Sequence, residues 1–260
     1  MLPSSHMPPS TDYKLLDPHG KRASPQQTGL TLATYNIHRC FGSDGRYDPA
    51  RIRDVLRHID ADVIALQEVE VFREHPEFLD FLCAESDWQH VHGATLTRDS
   101  GNYGNALLCR WPIDHLWRQD LSFADREPRG ALHAQVRVGN RTIGVVATHF
   151  GLRPIERRAQ AEAVASAIEH SCDSPGAPSA IVLMGDFNEW FLWGRALRRL
   201  RRHLVRGPSP STFPARFPFL SLDRIWATPG ANLSSVRAVR TPLTRIASDH
   251  LPLAATLELA

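Results

Sequence analysis

With 260 residues, 42% of them hydrophobic, the chain has the material for one large domain with a buried core, which excludes disorder along its whole length. Thirty Lys and Arg against 28 Asp and Glu leave a formal net charge of +2, so bulk charge announces neither a nucleic-acid nor a membrane partner. Any such partner has to be argued from local clusters.

Residues 1–28 are rich in Pro, Ser, Gln and His without an apolar run of signal-peptide type, and read as a flexible N-terminal tail ahead of a domain over residues 29–260. No later stretch approaches the ~20 apolar residues of a membrane-spanning helix. Cys40, Cys83, Cys109 and Cys172 are scattered and form no C-x-x-C pair, which predicts reduced thiols in a cytoplasmic protein.

In chain order, Leu30 to Ile37 predicts a strand, and Asp48-Pro49 opens a helix over Ala50 to Ile59. Asp62 to Leu66 predicts a short second strand, and Pro76 to Glu85 a second helix. Short strands follow at Ala106 to Cys109, Ile113 to Trp117, Ala131 to Val138 and Arg141 to Thr148, the last two joined by a tight turn at Gly139-Asn140. Pro154 starts a long Ala-rich helix to about His170. Ala180 to Met184 reads as a fully buried strand. An Arg-rich helix between Arg195 and Arg206, a Pro-rich loop and strands near Leu222 to Ala227, Ser235 to Val239 and Leu253 to Leu257 complete the chain. There is no fixed-period repeat and no linker long enough to divide it, and the mixture predicts a layered α/β sandwich.

Several apolar strands end abruptly in polar residues: Asn36 after the first, Glu68 after the second, His149 after the hairpin, Asp186 and Asn188 after the buried strand, and Asp249-His250 before the last. Alone, each has a plain structural explanation as a turn or a solvated strand exit. Together they supply hard oxygen ligands for a Mg²⁺-like ion, imidazoles that exchange protons near neutral pH, and amide donors for a phosphoryl oxygen.

Tyr35-Asn36-Ile37, Leu66-Gln67-Glu68-Val69, Gly104-Asn105-Ala106-Leu107-Leu108, Thr148-His149-Phe150, Gly185-Asp186-Phe187-Asn188, Leu222-Asp223-Arg224-Ile225 and Ser248-Asp249-His250-Leu251-Pro252-Leu253 resemble, in the right order, the motifs of the endonuclease/exonuclease/phosphatase (DNase I-like) superfamily. The resemblance runs from about Leu30 to Leu257. It implies a four-layer α/β sandwich, two packed mixed β-sheets flanked by helices, and a Mg²⁺- or Mn²⁺-dependent phosphoric ester hydrolase. Residue by residue it implies Glu68 as principal metal ligand, with Asn36 and Asp249 around the ion, and Asp186 orienting or deprotonating the attacking water beside Asn188. His250, oriented by Asp223, would stabilise the phosphoryl group or move a proton, and His149 would contact a phosphate oxygen or protonate the leaving group.

Abasic-site repair members usually carry Asp where His38 stands here, and they lack the Thr148-His149-Phe150 motif; both departures argue against that branch. Arg126 to Gly130 resembles the corresponding stretch of small bacterial members. Arg129, Arg157, Asn105 and Trp190 are the candidate substrate contacts, guanidinium groups matching phosphate geometry. Arg157 and Gln160 are expected to share a helix face near the site, and an ion pair is the competing role for both arginines.

Trp190, Phe191 and Trp193 directly precede the basic helix, so aromatic and basic groups are expected to border the site, where they would stack bases or rest on anionic lipid. The competing reading is that Leu197, Leu200 and Leu204 dock the helix while its arginines are solvated. The leading expectation is a phosphodiesterase, with a slight preference for a lipid-derived diester and peripheral contact with an anionic membrane. A nuclease on DNA or RNA and a phosphatase on a small metabolite are the alternatives, and a non-catalytic module is disfavoured because every motif position is filled. Oligomeric state is left open.

Overall fold

Apolar alternation decides how the first strand is used. In β1 (Gly29–Asn36), Leu30 and Leu32 enter one apolar cluster while Ala33 and Tyr35 enter another, the two-residue period of a strand buried on both faces. A computed structural model describes residues 29–258. The tail expected over 1–28 and the last two residues of the expected domain lie outside the described residues.

Two mixed sheets pack face to face. The first contains β1, β2 (Val63–Phe72), β3 (Gln89–Arg98), β4 (Gly101–Cys109), β10 (Asn232–Ala238) and β11 (Leu253–Glu258), in the order β10-β11-β1-β2-β4-β3. The second runs β5 (Ile113–Asp120), β6 (Gly130–Val138), β7 (Arg141–His149), β8 (Ala180–Asp186) and β9 (Asp223–Ala227) in sequence order. Leu32, Leu107, Val136, Val145, Val182 and Ile225 belong to the apolar layer between them.

Helices cover the outer faces. Ile52, Val55 and Leu56 of α1 (Pro49–Ile59) and Leu79 and Leu82 of α2 (Phe78–Cys83) pack on the six-stranded sheet, with Ala247 of the short α5 (Thr244–Ala247). Val164 and Ile168 of α3 (Pro154–Asp173) and Leu197 and Leu200 of α4 (Arg195–Leu200) pack on the five-stranded one against Val146, Leu183 and Trp226. The result is the expected four-layer sandwich. The first helix begins as the sequence suggests: Asp48 accepts the Arg51 backbone N–H at 3.2 Å, with Pro49 in the first turn of α1.

Local differences from the expected elements have physical causes. β2 does not stop at Leu66: a bulge between Leu66 and Val69 carries it past Glu68 to Phe72. The edge strand β3 and the four-residue α5 were not expected at all. The basic helix ends at Leu200, and a turn carries the chain through residues 201–203 toward Val205, which bridges to Ala227. The four cysteines are free, as expected, three of them buried.

Parallel pairing sets the active rim. β1 pairs in parallel with β2, setting Asn36 opposite Gln67, and β7 pairs in parallel with β8, setting His149 opposite Asp186. Asp186 in turn faces Asp223 on antiparallel β9. Gly185 makes this row possible: at φ +154° it passes so close to β7 that a Cβ would lie 1.8 Å from the Thr148 carbonyl oxygen.

Candidate active site

His149, Asp186 and Asp223 therefore form one register row across three adjacent strands of the second sheet. The Asp186 carboxylate is its hub, almost wholly buried. Its Oδ1 accepts the Asn188 backbone N–H at 2.8 Å. Its Oδ2 accepts the Asn36 amide at 3.1 Å and lies 3.6 Å from Nε2 of both His149 and His250. The same Asn36 amide nitrogen donates to Glu68 Oε1 at 3.0 Å, so one side chain ties the two sheets' contributions together.

Glu68 reaches this point through unusual backbone. It sits in the bulge of β2 with φ +55°, a conformation that costs an L-residue roughly 1–3 kcal/mol and persists only where surroundings impose it. The bulge turns its carboxylate toward Asn36. Burial raises its pKa, the Asn36 hydrogen bond and His38 oppose that, and the Asp249 and Asp186 carboxylates raise it again. Asp249 is half-buried: its Oδ1 accepts from Ser248 Oγ at 3.3 Å and stands 3.7 Å from His38 Nδ1. The buried Glu68 carboxylate and the Asp249 and Asp186 charges that raise its pKa form a set that a hard divalent cation would relieve, so Glu68 and Asp249 fit such an ion. The Asn36 amide gives its nitrogen to Glu68 and its oxygen to the His38 backbone N–H, and so orients Glu68.

Atoms from Asp186, Asp223 and His250 lie within 4.8 Å of one another. That trio suits proton chemistry better than metal binding, because two of its members already bond to each other. His250 Nδ1 is 2.9 Å from Asp223 Oδ2, which also accepts from Thr212 Oγ1 at 2.5 Å, and the Phe213 ring packs 4.9 Å from the imidazole. Burial would lower the His250 pKa, but the Asp223 and Asp186 charges and the Asp223 hydrogen bond overcome it and push it up to about 10.

His149 is driven the other way. Burial, then the Arg129 charge, then His250 outweigh Asp186 and lower its pKa to about 3. The Asn188 amide donates to the Phe150 carbonyl at 2.8 Å and lies 3.0 Å from His149 Nε2, while the Arg129 guanidinium faces Nδ1 of the same ring. Two imidazoles beside one carboxylate are thus held in opposite protonation states, an arrangement that separates acid from neutral hydrogen-bonding roles.

The substrate-contact candidates divide. Arg129 is buried, with one guanidinium nitrogen 3.4 Å from His149 Nδ1 and 2.7 Å from Glu127 Oε1. The Asn105 amide donates to the Gly130 carbonyl at 3.0 Å. Both residues line a cleft of ≈ 390 Å³ shared with Arg118, Gln119, Asp120 and Ser122, beside His149.

Arg157 does not present a free guanidinium. It is buried against Glu189 at 3.4 Å and donates to the Leu152 carbonyl at 2.6 Å, so the ion-pair role holds in place of the expected phosphate contact. Gln160 likewise bonds inward, donating to the Leu121 carbonyl and accepting the Gly151 N–H. Trp190 is exposed outside the cluster. Glu189 and Arg224 were missed as structural residues of the site; their only sequence signal is adjacency to Asn188 and Asp223.

Residues 33–250 match the family model described as "Endonuclease/Exonuclease/phosphatase family". The Escherichia coli (strain K12) protein YbhP, described as uncharacterized, is 32% identical over 254 residues, covering 90% of this chain and 98% of YbhP. Among solved structures, an endonuclease/exonuclease/phosphatase from Beutenbergia cavernae superposes with a TM-score of 0.68 at 21% identity, covering 90% of this chain and 72% of that one. The Bacteroides thetaiotaomicron mannosyl-6-phosphatase gives 0.70 at 17% identity, with 88% and 100% covered. Truncated Caenorhabditis elegans TDP2 gives 0.66 at 16% identity, with 89% and 98% covered. At these identities the structural matches speak for the fold, while the motif-spanning match and the YbhP relationship settle the family: the chain belongs to the endonuclease/exonuclease/phosphatase family.

Proposed function

We propose that the chain is a Mg²⁺- or Mn²⁺-dependent hydrolase of phosphate diesters. The observation that carries this reading is the Asp186 carboxylate, whose Oδ2 stands 3.6 Å from two imidazoles of opposite protonation while Asn36 joins it to Glu68. Glu68 and Asp249 would hold the cation, with Asn36 orienting Glu68. When bound, it supplies Lewis-acid polarisation of the phosphoryl oxygens and neutralises charge at the departing oxygen.

The remaining roles belong to the chain's own side chains. Asp186 orients the attacking water and accepts its proton, its geometry fixed by the Asn188 backbone. His250, held as a cation by Asp223, stabilises the charge that grows on the phosphoryl oxygens. Neutral His149, fixed by Asn188, contacts a phosphoryl oxygen, and Arg129 behind it adds positive potential. The cleft that Arg129 and Asn105 line takes the substrate's larger group.

The test is turnover of bis(p-nitrophenyl) phosphate and p-nitrophenyl phosphate by the purified chain with Mg²⁺, with Mn²⁺ and with excess chelator. Diester cleavage that vanishes on chelation and returns with metal is expected. Full turnover in chelator sinks the metal requirement, and a strong preference for the monoester replaces the phosphodiesterase reading with a phosphatase.

A further inference from the structure

The loops leaving the catalytic rim are unusual in what they expose. After β7 the chain presents Leu152, 68% exposed, and Ile155. After β8 it presents Trp190, Phe191 and Trp193, the last 71% exposed, with the Phe191 and Trp193 rings only 5.5 Å apart. The hairpin closed by the Phe213–Leu220 bridge presents Phe217 and Phe219, 80% and 70% exposed. Scattered single apolar residues on a surface need no explanation, but three neighbouring loops of this kind do.

Buried contacts hold all three loops to the catalytic cluster. Arg157 bonds both the Leu152 carbonyl and Glu189, joining the first loop to the second. Arg224, almost wholly buried, donates to the Glu189 carbonyl and to the Ser221 carbonyl, joining the second loop to the base of the third. The third is anchored where Ala215 N–H donates to the Asp249 carbonyl and Phe213 packs on His250. The bases of the three loops are therefore bonded together around the Asp186 cluster.

Charge selects the occupant. From Trp190 to Leu222 the sequence contains seven arginines, at positions 195, 198, 199, 201, 202, 206 and 216, and no Asp or Glu, in a chain whose net charge is only +2. Arg199 is paired with Glu162, but Arg198, Arg201, Arg202, Arg206 and Arg216 are exposed. Nucleic acid accounts for the arginines and tryptophans but not for Leu152 and Ile155, which have no ring to stack on a base. A bilayer with anionic headgroups accounts for both: apolar tips enter the interfacial region while arginines meet the phosphates.

We propose that this rim is an interfacial docking surface for an anionic lipid bilayer, which brings headgroup phosphates to the Asp186 cluster. The docking stands on the exposed loops; its relevance to catalysis rests on the hydrolase reading above. The experiment is flotation of the full-length wild type and a Trp193→Ser/Phe217→Ser/Phe219→Ser variant with phosphatidylglycerol-containing and pure phosphatidylcholine vesicles. Thermal melting and bis(p-nitrophenyl) phosphate turnover are followed in the same samples. The wild type should float with anionic vesicles and keep part of that binding at about 1 M salt, where the Debye length falls to about 3 Å. The variant should lose roughly 100-fold in partitioning, with melting and soluble turnover unchanged. Brominated lipid should quench wild-type tryptophan fluorescence, a readout that needs no substitution.

Absence of wild-type flotation with anionic vesicles, complete release by salt, a variant that floats like the wild type, or unquenched fluorescence each overturns the proposal. Binding of DNA without vesicle binding overturns it in favour of a nucleic-acid surface. Flotation without diester turnover leaves the docking intact and defeats the hydrolase reading instead.

Discussion

The two sheets contribute different chemistry to one site. The six-stranded sheet brings Glu68 from the bulge of β2, on strained backbone, and Asp249 ahead of β11, both partly open carboxylates, with the buried Asn36 amide at the end of β1 beside them. The five-stranded sheet brings His149, Asp186 and Asp223 in a single register row, buried and hydrogen-bonded on regular strands. Groups suited to a cation that exchanges with solvent sit where carboxylates crowd and can be relieved. Groups that must keep a fixed protonation state sit where packing over-determines them.

This division can be broken from the metal side first. Glu68→Gln should lower diester turnover by at least roughly 10²–10³-fold while leaving the melting temperature at or above that of the wild type, because a crowded carboxylate is removed; calorimetric titration of Mg²⁺ should show weakened binding. Wild-type metal affinity in that variant would assign the cation elsewhere.

On the proton side, His250→Ala should cost roughly 10²–10⁴-fold, and Asp223→Ala/His250→Ala should be little worse than His250→Ala alone, since the pair acts as a unit. Steady-state rates of the three variants decide it, and strictly additive losses would show independent residues. Asn36→Ala tests the joint between the sheets. A residue that orients metal ligands typically costs 10- to 100-fold when removed, so a loss of about that size is expected, with metal affinity and rate falling together.

The smallest expected effect concerns stability away from the site. His133, stacked on Trp117 at 3.6 Å, is pushed down to about 3 by burial, and His92 to about 4 by burial and then by Arg118 and His90. Both stay neutral in the folded chain while the unfolded chain protonates them near 6.5. Stability should therefore fall as pH drops below about 6.5, at up to ~1.4 kcal/mol per pH unit for each histidine. His133→Gln should flatten the acid limb of a melting-temperature profile. An unchanged limb would place the acid sensitivity elsewhere.

Much of the fold was legible because the buried strands carry continuous or alternating apolar residues. Ala180 to Met184 and Leu30 to Ile37 are within a residue or two of β8 and β1. β3 was not, since among its hydrophobic side chains only Val91 is buried and its remaining pattern of Gln, His, Gly and Thr is that of a half-solvated edge. The motif residues were legible as a set, but their joints were not. No propensity places Glu68 at positive φ, and no spacing reveals that Asn36 serves both Glu68 and Asp186. The sequence could not decide between a phosphate contact and an ion pair for Arg157, because its partner, Glu189, lies 32 residues away. The leucines of the basic helix dock it on α3 and Trp226, as the competing reading held.

The turn after Asn188 is closed at its base. Glu189 accepts the Phe191 N–H, Gly194 donates to the Phe191 carbonyl, and a Cβ at Gly194 would stand 2.2 Å from the Glu189 carboxyl carbon. Residues 190–193 thus form a replaceable cassette: their side chains can be exchanged while the foundation that aligns Asp186 and Asn188 is left in place. Evolution within the family, or a designer grafting a foreign turn between Glu189 and Gly194, has a way to change what this rim presents without re-tuning the residues beneath.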